Sequence, residues 1–198
     1  MRLHISKKGV MGVGMIFIFI ATVLASAIAA AVLITSTESI QEKAYSVQES
    51  ATERLLTGFE IISVYGSGDM VNETLNEFEI ILRLRSGSSP INFDKTGFSF
   101  IAGNLSLSGE YNKSLGNDNC SYSNLPAETD FCVDQHFGTK PDIMRGGDMA
   151  SVRYKLEDDH ALGTETDFII TMQTPKGRSQ VTELTVPDMI LASKVKLR

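Results

Sequence analysis

From Val10 to Ile34 the chain reads VMGVGMIFIFIATVLASAIAAAVLI and holds no charged residue. As a helix this stretch would span roughly 37 Å at 1.5 Å per residue, enough to cross a bilayer core of ~30 Å. About fifteen of its side chains are large, and each is worth ~1.5–3 kcal/mol when buried, so the drive to leave water is tens of kcal/mol. The segment is apolar all round, so it has no polar face to turn to water and needs lipid or other helices like itself. Its small residues, Gly12, Gly14, Ala21, Ala25, Ser26, Ala27 and Ala29 to Ala31, allow backbones to approach closely.

What precedes the run sets its orientation. Arg2, Lys7 and Lys8 make a short basic leader, and basic residues on that side keep it in the cytoplasm while the remainder goes outward. Three readings fit. An ordinary secretory signal would be cut near Ala25 to Ala31 and lose the run. An uncleaved anchor would keep the whole chain. In the third, Lys7-Lys8-Gly9 before Val10 resembles the class III signal of prepilin-type peptidases, which cut on the basic side and leave the helix attached. Cleavage after Gly9 would remove three cations and take the net charge from −6 to −9.

The run Val10-Met-Gly12-Val-Gly14-Met-Ile-Phe-Ile-Phe-Ile-Ala21, followed by Leu24-Ala-Ser-Ala-Ile-Ala-Ala-Ala-Val-Leu-Ile34, closely resembles the N-terminus of archaellins, the archaeal flagellins. Bacterial type IV pilins carry glutamate where this chain has Gly14, which favours the archaellin branch. Val10 departs from the small residue that often opens mature archaellins. The resemblance covers about the first 35 residues. It implies a structural subunit of the archaellum, an extracellular motility filament, with no enzymatic activity and no cofactor. Val10, Gly14, Ile16, Phe17, Phe19, Ile20, Leu24, Ile28 and Leu33 would pack the filament core. Lys7, Lys8, Gly9, Val10 and Gly12 would form the cleavage site. The implied partners are copies of the chain and related archaellins, a prepilin-type signal peptidase, the archaellum membrane platform with its ATPase, and the membrane before assembly. An archaeal adhesion pilin, or a monomeric membrane-anchored binding domain, would use the same parts.

Beyond the apolar run the period stays helical. Ile40, Ala44, Val47, Ala51 and Leu55 fall on one face, and Gly58 offers a stop, so a helix is expected over 10–57. After Gly58 the pattern alternates. Phe78, Ile80, Leu82 and Leu84 share a face opposite Glu79, Arg83 and Arg85. Similar runs occur at 59–65, 98–107, 152–156, 168–172, 181–186 and 190–197, separated by turn signals at 66–69, 86–90, 146–148 and 174–177. The expectation is an α+β chain: leader 1–9, helix 10–57, and an outer antiparallel β-sandwich over 58–198, immunoglobulin-like. Residues 104–145, rich in Asn, Ser, Gly and Asp, read as one polar surface insertion. Archaellins join the same kind of helix to such a sandwich.

Four N-x-S/T sequons, at Asn72, Asn104, Asn112 and Asn119, fall in the outward part and mark N-glycosylation acceptors. Cys120 and Cys132 are the only cysteines; in a secreted domain they suggest a disulfide, the alternative being two free thiols. They do not read as a metal site, because no His pair lies at ligand spacing. Glu157-Asp158-Asp159-His160 and Asn117-Asp118-Asn119 offer hard oxygens for Ca²⁺ but no EF-hand pattern, and read as solvated turns. The net charge of −6, without a clustered basic patch, argues against nucleic acid as a partner. No G-x-S-x-G, P-loop or H-E-x-x-H points to catalysis.

Overall fold

A computed structural model describes residues 7–116, 119–137 and 142–197. The chain divides into two compact units after Ser50. The first is most of one helix, α1, which runs unbroken from Lys7 to Leu56, some 75 Å at 1.5 Å per residue. Neither Pro nor a charge interrupts it from Gly9 to Thr37, and its glycines, Gly9, Gly12 and Gly14, fall before the Ala-rich stretch, where helix propensity is highest.

The second unit is built on strands β1 (Phe59–Asp69), β2 (Thr74–Leu84), β3 (Ile91–Asn92), β4 (Gly97–Ala102), β5 (Leu105–Tyr111), β6 (Asp130–Phe137), β7 (Ile143–Met144), β8 (Met149–Lys155), β9 (Leu162–Gly163), β10 (Asp167–Gln173), β11 (Gln180–Thr185) and β12 (Lys194–Lys196). Nine of them form one hydrogen-bonded path, β11-β10-β4-β5-β6-β8-β2-β1-β12, with β9 on β2 and β3 paired separately with β7. All pairings are antiparallel except β5–β6, which is parallel and carries only the registers Glu110↔Asp130 and Tyr111↔Phe131. The path folds into two layers at this short link. Phe78 of β2 meets Phe100 of β4 and Phe168 of β10 with ring centroids 5.2 and 5.3 Å apart, and Tyr154 of β8 meets Phe98 of β4 at 4.6 Å. The sandwich core is therefore aromatic across its middle and aliphatic around it, with Val64, Leu75, Ile80, Leu82, Val133 and Ile170 fully buried.

Local chemistry explains the details. In β1 the inward face switches from Phe59 and Ile61 to Val64 and Gly66, because a register shift between Ile61 and Ser63 leaves Ile62 as the bulged, outward residue. Gly109 lies where a Cβ would sit 3.1 Å from Phe98 and 3.2 Å from Tyr154, so the aromatic cluster closes only over a residue without a side chain. Tyr154 is completely buried and its hydroxyl donates to the Glu128 carbonyl at 3.0 Å, leaving no stranded polar group.

Three expectations need correction. Residues 98–107 are two strands, because Gly103 takes a φ of +55° and makes a two-residue hairpin with Asn104 between Ala102 and Leu105. The polar insertion at 104–145 is not one surface loop. It supplies β5, and it supplies β6, which sits mid-path beside β8 with Phe131, Cys132 and Val133 fully buried. The polar residues of β6 (Asp130, Asp134, Gln135 and His136) surround that apolar core stretch and mask it in composition. The turn expected at 66–69 belongs to β1, since Gly66 makes room for Leu75 and Leu197, and the chain reverses at 70–73 instead.

Candidate assembly surface

In helix α1 every residue from Gly12 to Ser50 is exposed, including Ile16, Phe17, Phe19, Ile20, Leu24, Ile28 and Leu33. Phe19 is 68% exposed and Leu33 likewise 68%, values otherwise typical of charged surface residues. The helix from Gly12 onward is long and apolar enough to cross a membrane. The two hydroxyls of the apolar run, Thr22 and Ser26, and those of Thr35 and Thr37 just beyond it, are satisfied within the helix. Thr22 donates to the Phe19 carbonyl at 2.8 Å, Ser26 to Thr22 at 2.8 Å, Thr35 to Ala31 at 2.9 Å and Thr37 to Leu33 at 2.8 Å. Such back-bonding lets a hydroxyl enter apolar surroundings without an unpaired donor, whose cost there is several kcal/mol. At Gly12 and Gly14 a Cβ would meet nothing within 4 Å, so these glycines answer no demand of the fold around them and leave a shallow strip open to a neighbour.

Of the expected cleavage residues, Lys7, Lys8, Gly9 and Val10 lie on the first turns of α1; the leader before Lys7 lies outside the described residues. Contiguous with them along the helix are the positions expected to pack the filament core, from Val10 to Leu33. The glycosylation candidates are elsewhere, in the second unit, each in a different setting. Asn72 is exposed in the 70–73 reversal, its amide donating to Asp69 at 2.7 Å. Asn104 is exposed at the β4–β5 hairpin tip. Asn112 is half-buried at the end of β5, where its amide donates to Asp130 at 2.6 Å and its carbonyl oxygen accepts from Ser114. Asn119 is exposed, next to buried Cys120.

Cys120 is disulfide-bonded to Cys132 of β6, with Cα atoms 5.5 Å apart and Leu125 and Leu115 packed around the bridge. A charged network on the outer face of β2, β6 and β8 holds this loop down. Arg153 donates to the Cys120 carbonyl, to Glu79 at 3.4 Å and to Asp134 at 3.3 Å, while Lys194 of β12 donates to the other oxygen of Glu79. Burial pushes the Glu79 carboxyl up, but Lys194 and Arg153 outweigh it and hold it below the usual carboxylate range. The alternation of β2 marks Glu79 and Arg83 as outward; nothing in the sequence pairs Glu79 with Arg153 across 74 residues.

The acidic turn behaves as a turn. Glu128, with a φ of +65°, accepts from the Glu157 amide at 3.2 Å and meets His160 Nδ1 at 2.7 Å, and Asn76 donates to Asp158 at 2.8 Å. Ligand atoms of Glu128, Glu157 and His160 lie within 4.8 Å of one another, close enough for a cation, and of these the Glu128 carboxylate and His160 Nδ1 are bonded to each other. Asn117 and Asp118 lie outside the described residues.

Comparison with known proteins places this arrangement. The sequence model of the archaeal-type flagellin family matches residues 9–184. Flagellin B2 of Methanocaldococcus jannaschii is 35% identical over 106 residues, covering 54% of this chain and 48% of the relative. The chain thus spans about half the length of that protein, and 39% of flagellin B1 from the same organism. Flagellin B1 of Natrialba magadii aligns over 96% of the chain and 95% of its own length at 24% identity. Among solved structures, archaeal flagellin FlaB1 of Methanocaldococcus jannaschii superposes on 71% of the chain and 96% of its own length, with a TM-score of 0.62 and 18% identity. The archaeal flagellum of Methanospirillum hungatei strain JF1 does so over 93% of this chain and 98% of the other, with a TM-score of 0.65 and 12% identity. Both likenesses are of fold.

Proposed function

Because this chain belongs to the archaeal-type flagellin family, we propose that it is a structural subunit that polymerises through α1 into an extracellular motility filament. The observation that carries this reading is a helix whose large apolar residues from Val13 to Ile34 are exposed while the core of the second unit forms without them. An isolated helix of that kind has tens of kcal/mol of unburied apolar surface. Lipid covers it in the precursor, and neighbouring copies of the same helix cover it in the filament. Membrane anchor and filament core are two states of one segment.

In this reading the precursor inserts with Lys7 and Lys8 inside. A prepilin-type signal peptidase cuts after Gly9, and an ATPase-driven membrane platform moves the helix into the growing filament beside identical or related archaellins. Residues 10–57 then form the core and 58–198 the outer shell. The chain acts by packing, with no catalytic step and no cofactor. Asn72, Asn104, Asn112 and Asn119 are the candidate N-glycan acceptors of the shell, and at least two of them carry sugar.

The test is mass spectrometry of filaments sheared from cells, alongside a swimming assay of cells that lack the chain. A mature N-terminus at Val10, added mass on sequon peptides and lost swimming support the reading. Lost surface attachment with intact swimming points to an adhesion pilin instead. An intact Met1 found only in the membrane fraction sinks the filament and leaves an anchored monomeric domain.

A further inference from the structure

The four sequons are not equivalent, and the difference traces to one covalent bond. We propose that closure of the Cys120–Cys132 disulfide shuts Asn119, and with it Asn112, to glycan transfer, so that these two sites accept sugar only while the cysteines are reduced. Asn72 and Asn104 accept it before or after folding. The inference rests on the glycosylation reading above and adds an order of events to it.

N-glycan transfer joins asparagine Nδ2 to the anomeric carbon of a sugar carried on a polyprenyl phosphate. The C–N bond forms, the C–O bond to phosphate breaks, the phosphate leaves with the electron pair and the amide gives up one proton. The acceptor must therefore present its amide, and the Ser or Thr two residues on, as a free and pliable segment. Asn104 stands exposed at a hairpin tip with Leu105 and Ser106 opening β5, and Asn72 in an exposed reversal, bonded to Asp69, with Thr74 opening β2; both segments are held at strand ends by reversible hydrogen bonds alone, with no covalent link.

Asn119 is different although its own side chain is exposed. The middle residue of its sequon is Cys120, which is 3% exposed and bonded to Cys132 in the middle of the sheet. The Cys120 carbonyl receives the Arg153 guanidinium, the Ser121 amide bonds back to the Asn119 carbonyl at 2.9 Å, and the Ser121 hydroxyl pairs with Ser123 at 3.1 Å. The segment stays tethered to β6 while the disulfide holds. Asn112 lies at the start of the same loop, its amide held against Asp130 two residues before Cys132. Closing the bridge takes two protons and two electrons from the thiols and passes them to an exchanging disulfide of a thiol oxidoreductase, which becomes a dithiol. Oxidation and transfer thus compete for one stretch of chain.

The experiment measures site occupancy by mass spectrometry on full-length protein from its own cells, as wild type and as the Cys120→Ser/Cys132→Ser double variant, whose sequon Asn119-Ser-Ser remains valid. In the wild type, Asn119 occupancy should fall several-fold below that of Asn104. In the double variant it should rise several-fold, with Asn104 unchanged. A Phe131→Ala variant, which loosens the core but leaves both cysteines, controls for general unfolding. If it raises Asn119 as much with the disulfide intact, the gate is not the disulfide and the proposal falls. Equal occupancy of Asn119 and Asn104 in disulfide-bonded wild type also overturns it. If Asn104 and Asn72 carry no sugar either, it is the glycosylation reading that fails, and this inference with it.

Discussion

Arg153 shows how much one residue can hold in place. Its guanidinium is only 22% exposed and joins three separate pieces of the fold: the Cys120 carbonyl of the disulfide loop, Glu79 on β2 and Asp134 on β6. Removing it leaves Glu79, 10% exposed, with Lys194 alone. Arg153→Ala should therefore cost about 3 kcal/mol, the low end for breaking a buried pair, read as a lower denaturant midpoint of the outer unit in detergent-solubilised chain. Glu79 gives the pH counterpart. Its folded carboxyl titrates below its unfolded value, so its stabilisation is complete above the unfolded value and is lost as pH falls through the folded one. Acid unfolding of the wild type should be steeper below the usual carboxylate range than that of Glu79→Gln; identical acid limbs would sink this account. Tyr154 works at the opposite end. Burial first, then the Glu128 charge, push its hydroxyl far up, so the unfolded state ionises earlier and stability is lost as pH rises past about 10, the ordinary tyrosine value.

At the scale of elements, the helix and most strands are legible in the sequence because each has a period and a face. The α1 pattern needs no partner to be recognised, since an uncharged run ending in an amphipathic one is a local property. β2, β8, β10 and β11 alternate over enough of their length to show an inward face. What stays hidden depends on contacts distant in sequence. β6 reads as loop because its three buried residues, Phe131 to Val133, lie amid polar ones such as Asp134 and His136, whose partners Arg153 and Ser151 are 19 and 15 positions away. Gly66 reads as a turn because glycine usually marks one, whereas here Leu75 and Leu197 occupy the missing side chain's place. Gly109 is the sharper case, and it can be tested. Gly109→Ala should push into Phe98 and Tyr154 and cost about 1–3 kcal/mol, the usual penalty of overpacking a filled core, seen as a lower melting temperature of the outer unit. No change would mean that the aromatic cluster has slack. For α1 the matching change is Ile28→Lys. A charge at that depth costs about 2.5–3.5 kcal/mol on insertion scales, and a filament repeats it in every copy. Filaments should vanish by electron microscopy while the outer unit keeps its melting temperature.

For the whole molecule, two forces of opposite sign follow from how charge is distributed. The apolar residues of α1 draw copies together by a short-range term that salt does not weaken and that excluded salts strengthen. The mature chain, on the proposed cut after Gly9, carries −9, all the net charge lying outside the apolar run, so copies repel through their outer units. That repulsion reaches about 10 Å at 0.1 M ionic strength and about 30 Å at 0.01 M. A subunit of this composition should therefore make filaments that lengthen and resist shear as salt rises, and that shorten or fray in dilute buffer without unfolding of the sandwich. Length distributions by electron microscopy between 0.01 and 1 M salt, with circular dichroism on the same samples, separate the two terms. If length is indifferent to salt while the fold holds, the acidic shell is already neutralised at its contacts, by basic side chains such as Lys176 or Lys196 of a neighbour. If the sandwich unfolds with the filament, the limit lies within the subunit rather than between copies. Only the expected pattern, short filaments of folded subunits in dilute salt, assigns cohesion to α1 and repulsion to the shell.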